Sequence, residues 1–102
     1  MDLSIIIPVY NSEKIIENLI KQITVSVDNI KSINSYEIIL IEDYSPDKSW
    51  EKIELVSKKY NNVKGISLSE NFGQHNATMV GIKYSSGEKI ITMDDDLQHS
   101  PV

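Results

Sequence analysis

The sequence predicts an α/β fold, half of a doubly wound sheet in which about four parallel strands alternate with helices in the expected order 3-2-1-4. Three observations carry this. Short, nearly unbroken apolar runs recur along the 102 residues, the pattern of strands buried on both faces. Between them lie stretches with apolar residues at three- and four-residue spacing, as in amphipathic helices. The connecting loops are short, and right-handed crossovers then make the sheet parallel.

The first strand is the Ile-rich run from Leu3 to Val9, ending at Pro8-Val9-Tyr10-Asn11. Ser12 is placed to cap a helix whose apolar face is Ile15, Ile16, Leu19, Ile20, Ile23, Val27 and Ile30, with its end between residues 28 and 30. A polar linker, 31–35, leads to a second buried run, 36–41, which stops at Glu42-Asp43. Ser45-Pro46 reads as an N-cap followed by proline at the first helical position. Trp50, Ile53, Val56 and Tyr60 give the buried stripe of this second helix. Asn61-Asn62 breaks it, and 63–68 reads as a third strand. Asn71-Phe72-Gly73 turns into a third helix over 74–85, with Gly87 at its left-handed C-cap, and 89–93 is the fourth strand. No internal repeat or low-complexity segment interrupts the order.

Composition bounds the function. Apolar residues make up 40% and charged residues 25%, ordinary globular usage far from the signature of disorder, and the length suits one domain with a modest core. The net charge is −5, and no cluster of Lys residues could neutralise a run of phosphates, which argues against nucleic acid as a partner. The absence of cysteine removes disulfides, thiolate metal sites and Cys nucleophiles together, and fits a reducing compartment. No apolar run approaches the roughly 20 residues that span a bilayer, and Met1-Asp2-Leu3 lacks the basic region of a secretory signal. The expected location is cytoplasmic.

In such a half-fold, ligands bind beyond the carboxyl ends of the strands, where the strand order reverses. Three distant pieces meet there: Pro8-Val9-Tyr10-Asn11, Glu42-Asp43 and Asp94-Asp95-Asp96. Five carboxylates would share one rim, an arrangement that needs a cation, hydrogen bonds or raised pKa values to compensate. An acidic pair after one strand is ordinarily a solvated turn; pairs after two strands flanking the same neighbour point instead to a hard divalent ion, Mg2+ or Mn2+, bridging to phosphate oxygens. No Gly-rich turn follows the first strand and no Walker-type Gly-Lys-Ser/Thr occurs, so a phosphate must be held by metal and helix N-termini.

Four stretches carry a resemblance. Ser4-Ile5-Ile6-Ile7-Pro8-Val9-Tyr10-Asn11, Ile41-Glu42-Asp43-Tyr44-Ser45-Pro46-Asp47, Asn71-Phe72-Gly73-Gln74-His75-Asn76-Ala77 and Met93-Asp94-Asp95-Asp96-Leu97-Gln98-His99-Ser100-Pro101 resemble the successive motifs of family 2 glycosyltransferases with the GT-A fold. Within the family they resemble the branch that moves a sugar onto polyprenyl phosphate, the dolichol-phosphate mannose synthase type. The resemblance implies a Rossmann-like half of a GT-A fold and an inverting, metal-assisted transfer from a nucleotide-diphosphate sugar of UDP or GDP type. It places the nucleotide on Pro8, Val9, Tyr10, Asn11, Asp43, Asp94 and Asp95, and Mg2+ or Mn2+ on Asp94 and Asp96, the outer members of a DXD motif. It implies a polyprenyl phosphate acceptor at the inner face of the membrane. Residues 1–102 then form the nucleotide-sugar-binding N-terminal part of a longer domain, inactive alone, with apolar surface that invites self-association. The chain departs from the branch at Glu70, where Arg is common before Asn-Phe-Gly, at Ser12, which intervenes before Glu13, and at Glu42, which replaces a common Asp.

His75, in the first turn of the third helix, suits a surface or supporting position better than a metal ligand, and His99 has no second His at zinc spacing. Trp50 belongs to the core by its spacing with Ile53. Tyr10 suits both stacking on a base and plugging the sheet edge. A non-catalytic nucleotide- or metal-binding α/β module is the competing class. Receiver domains also gather carboxylates at strand ends, but place an acidic pair after the first strand, where this chain has Pro-Val-Tyr-Asn. A nucleotidyltransferase would want a Gly-rich loop at that position.

Overall fold

The computed structural model describes residues 1–70 and 73–94, without the side chains of Gln74 and His75. Its elements are β1 (Leu3–Val9), α1 (Ile16–Asp28), β2 (Tyr36–Glu42), α2 (Ser49–Lys59), β3 (Val63–Ser67), α3 (Gln74–Lys83) and β4 (Lys89–Thr92). The four strands form one sheet in the order β3-β2-β1-β4, every neighbouring pair parallel. That is the predicted order, with β1 central and the reversal between β1 and β4.

The strand period of two divides the core into two layers. Leu3, Ile5, Ile7 and Val9 of β1 join Ile38 and Leu40 of β2 against Ile16, Leu19, Ile20, Ile23, Val27, Ile53 and Val56. On the other face, Ile6, Ile39 and Ile41 pack with Ala77 of α3. Helices α1 and α2 therefore cover one face and α3 the other. β1 is buried along its whole length, as the unbroken apolar run requires, and Trp50 lies against the larger layer as its spacing predicts. β4, by contrast, is an edge strand exposed throughout, with Ile90 and Ile91 at 43% and 49% exposure. No helix of the described residues is long and apolar enough to cross a membrane.

Three of the predicted helix boundaries are corrected. Ser12 does not cap α1: its hydroxyl donates to the Tyr10 carbonyl, a turn intervenes, and the helix begins at Ile16. Ile30 falls beyond the helix end at Asp28 and is exposed. Ser45 does not cap α2, which begins four residues later at Ser49, because its hydroxyl accepts the Asn11 N–H. Helix α3 ends at Lys83, with Tyr84 at its C-cap at φ −96°, so Gly87 is not a left-handed cap. Gly87 is needed for close approach instead: a Cβ there would meet the Ser4 backbone nitrogen at 2.5 Å and the Leu3 carbonyl carbon at 2.6 Å. Strands β3 and β4 each stop one residue short of the predicted end, and β2 runs one residue longer.

A buried carboxylate ties the strands at their amino ends. Glu37 of β2, in register with Ser4 of β1, accepts from Ser4 Oγ at 2.6 Å and from the Ser86 N–H at 2.7 Å. Its second oxygen receives Lys64 Nζ of β3 at 2.7 Å, and the Gly87 N–H donates to Ser4 Oγ at 2.7 Å. One side chain thus connects β1, β2, β3 and the approach to β4. Burial pushes the Glu37 carboxyl up, but hydrogen bonds from Lys64, Ser4 and Ser86 outweigh it and hold the group below its ordinary value of 4.5.

Two outcomes follow. Gly87→Ala forces the segment before β4 off β1 and costs about 1–3 kcal/mol, the usual range for overpacking, read from urea unfolding. Because the Glu37 pKa is depressed on folding, its stabilisation is complete above pH 4.5 and is lost as pH falls through the lower folded value. Unfolding at pH 7, 5, 4 and 3 therefore shows a steeper acid loss for the native chain than for Glu37→Gln.

Candidate functional site

The carboxyl edge of the sheet is shaped first by Pro8. Ile6 accepts the Met93 N–H at 3.0 Å, so the even-numbered backbone groups of β1 face β4. Proline has no N–H to donate on that side, and the β1–β4 ladder accordingly ends at Ile6 with Thr92. On the opposite side Val9 accepts the Asp43 N–H at 3.0 Å. Asp43 and Asp94 are thereby delivered to the two flanks of the same strand end. Where the ladder stops, an open cleft of about 160 Å³ forms between Pro8, Thr92, Met93 and Asp94 and Thr78 of α3. Small-ligand pockets run to roughly 300–1,000 Å³, so this cleft is too small to enclose such a ligand by itself.

The loop after β1 is held by the loop after β2. Three successive backbone N–H groups donate across the gap: Asn11 to Ser45 Oγ at 2.9 Å, Ser12 to Ser49 Oγ at 2.8 Å, and Glu13 to Asp47 Oδ2 at 3.2 Å. Asp47 Oδ1 accepts from both the N–H and the hydroxyl of Ser49, at 3.0 and 2.6 Å. Burial raises the Asp47 carboxyl, but these donors more than offset it and the group lies below its ordinary value. Asn11 and Tyr44 adopt left-handed backbone, at φ 56° and 57°, in the two loops that leave the ends of β1 and β2.

The predicted residues fare differently. Pro8 and Val9 are buried in β1 and contribute backbone, whereas Tyr10 stands 49% exposed at the edge, beside the exposed Asn11. Asp43 is only 4% exposed, and its Oδ2 accepts the Gly73 N–H at 3.1 Å, fastening the end of β2 to the start of α3. Glu42 is not an open rim carboxylate: it is equally buried, and its Oε1 accepts the Ser45 N–H, closing its own turn. Asp94 is exposed. Asp95, Asp96 and His99 lie outside the described residues, as does the side chain of His75. Sequence reasoning missed Asp47, Ser45 and Ser49 as the brace of this edge. The signal was available in Ser-Pro-Asp-Lys-Ser, whose alternating short acceptors bond backbone N–H groups in turns, but it was read as a helix cap.

For a divalent ion, the donor chemistry at the β4 end fits: carboxylate oxygens are the ligands hard cations take. Among the described residues no group of three His, Asp or Glu side chains could hold a metal. Asp94 therefore needs its neighbours in Asp94-Asp95-Asp96 to complete any such set.

Comparison with known proteins agrees with this architecture. The model of glycosyl transferase family 2 matches residues 4–102, and the chain belongs to that family. It is 41% identical over 101 residues to a dolichol-phosphate mannosyltransferase of Pyrococcus furiosus, covering 99% of this chain and 27% of that protein. It is also 41% identical over 99 residues to an undecaprenyl-phosphate 4-deoxy-4-formamido-L-arabinose transferase of Shewanella sediminis, covering 96% and 29%. Among solved structures it is similar to Staphylococcus aureus TarS 1-349 in complex with UDP, at 31% identity and a TM-score of 0.78 over 94% of this chain and 28% of the other. The fold is the Rossmann-like half of a GT-A fold. The chain spans a little over a quarter of the length of these relatives.

The two exposures separate support from display. Asp43→Ala removes a buried acceptor and destabilises by about 1–3 kcal/mol, whereas Tyr10→Ala stays within about 0.5 kcal/mol of the native chain; parallel denaturant titrations measure both.

Proposed function

We propose that this chain forms the donor-binding part of a glycosyltransferase that moves a sugar from a UDP- or GDP-type nucleotide to a polyprenyl phosphate. The observation that carries the reading is the delivery of Asp43 and Asp94 to opposite flanks of the β1 end, next to a ladder that Pro8 terminates. In this reading the base lies against the backbone of Pro8, Val9 and Asn11, with Tyr10 as the exposed ring and Asp43 as acceptor. Asp94 and Asp95 approach the ribose and phosphates. Asp94 and Asp96 would hold Mg2+ or Mn2+, whose contribution is to neutralise charge developing on the leaving diphosphate. The acceptor phosphate attacks directly, with inversion, at the cytoplasmic surface of the membrane. Both relatives named above carry polyprenyl phosphates in their names while differing in the sugar, which supports the acceptor class and leaves the sugar open. Residues 1–102 supply the donor side only, so the 102-residue chain binds nucleotide without turnover, and the exposed β4 edge favours self-association at high concentration.

Calorimetric titration of UDP and GDP, each with and without Mn2+, tests the reading. Metal-dependent binding that falls at least tenfold in Asp96→Ala, a loss of about 1.4 kcal/mol, is the expected result. Binding indifferent to metal, to Asp96→Ala and to Asp43→Asn would overturn it.

A further inference from the structure

The brace between the two loops bears on affinity as well as on stability. Residues 11, 12 and 13 carry successive backbone N–H groups on one loop, donors of the kind that elsewhere bind anions. Here each already donates to a side chain of the following loop, namely Ser45, Ser49 and Asp47. Those donors are thus withdrawn from any phosphate and spent on geometry. The order of bonding is directional: Ser12 N–H to Ser49 Oγ, Ser49 hydroxyl to Asp47 Oδ1, with Asp47 Oδ2 left for Glu13. Such chained hydrogen bonds strengthen one another. Asn11 and Tyr44 sit in the left-handed region, which asparagine tolerates but which a tyrosine keeps only where its surroundings hold it there. The brace supplies that hold, and Tyr10, the exposed ring at the edge, is attached directly to Asn11.

We infer that Asp47, acting through Ser49 and with Ser45, is a positioning residue that presets the backbone of residues 10–13 to receive the base of the nucleotide. This rests on the reading above that the β1 end holds the base. Asp47 touches no ligand in this role. It removes the ordering cost that a loose loop would charge against binding, so its effect falls on nucleotide affinity and on the mobility of three specific amides.

The test compares UDP and GDP affinity, with Mn2+ present, in the native chain, Asp47→Ala, Asp47→Asn and Ser45→Ala, well below each variant's melting temperature. Val63→Ala, which loosens the core at the amino end of β3, serves as a destabilised control. Asp47→Ala is expected to weaken binding about tenfold and to speed hydrogen exchange at Asn11, Ser12 and Glu13. Asp47→Asn, which keeps one acceptor oxygen, recovers part of both, and Val63→Ala loses stability but neither affinity nor protection at these amides. Should Asp47→Ala fail to fold, Ser45→Ala, which cuts only the Asn11 bond, makes the same test. Native binding with unchanged affinity in Asp47→Ala and Ser45→Ala overturns this inference alone. Affinity that drops equally in Val63→Ala overturns it too, by showing a general effect of stability. No binding by the native chain overturns the donor-site reading, and this inference with it.

Discussion

Glu37 is the constraint on which the arrangement of strands depends. A buried carboxylate at the amino end of a sheet must keep its charge compensated or lose several kcal/mol, and this one is surrounded by donors from β1, β3 and the segment before β4. Those donors coincide only when the four strands stand in the observed order and register. A slip of one residue would turn Ser4 to the other face and leave the carboxylate unmatched. Hydrophobic burial drives the sheet together, but it is tolerant of register among so many isoleucines. The polar cluster is not.

The two ends of the sheet divide the labour. At the amino ends, Glu37 and the close approach of Gly87 to β1 lock β4 into place. At the carboxyl ends the same strand is released, because Pro8 cannot continue the ladder, and the cleft beside Asp94 opens there. The fixed end sets the direction in which the free end points. Across β1 the ladder with β2 runs on to Val9 and Glu42, and loops complete that flank: Asp43 fastens α3 through Gly73, and Asp47 fastens the turn after β1. Carboxylates thus serve two purposes at this edge. Glu42, Asp43 and Asp47 accept backbone N–H groups, while Asp94 faces solvent.

This division revises the simple picture of an acidic rim gathered around a cation. Of the carboxylates counted at the edge from the sequence, Glu42 and Asp43 are buried and engaged. Each is thus compensated by a backbone N–H rather than left as an open rim charge. Family 2 membership places the chain among glycosyltransferases, and the geometry indicates which groups of its edge are buried as scaffold and which are exposed.

Much of the fold was legible in the residue order. The run from Leu3 to Val9 could only be a strand covered on both sides, and Ile16, Leu19, Ile20 and Ile23 could only face a core, because burial of apolar surface follows periodicity that is written locally. Parallel pairing followed from crossover handedness, and strand order from the usual arrangement of doubly wound halves. What escaped were the polar side chains. Ser12, Ser45 and Gly87 each matched a local helix-end rule, but the Ser12 hydroxyl turned to the nearby Tyr10 carbonyl, and Ser45 and Gly87 were claimed by distant partners, Asn11 and Ser4. Local propensity is worth about 1 kcal/mol at a cap, no more than a hydrogen bond made across the fold, so local rules alone could not settle these positions. The sequence by itself thus determined which segments are strands and helices and which family they belong to. Only the folded chain decided which carboxylates are structural and which face outward, since that depends on donors the fold brings up from distant segments, as Gly73 to Asp43, Glu13 to Asp47 and Ser4 to Glu37.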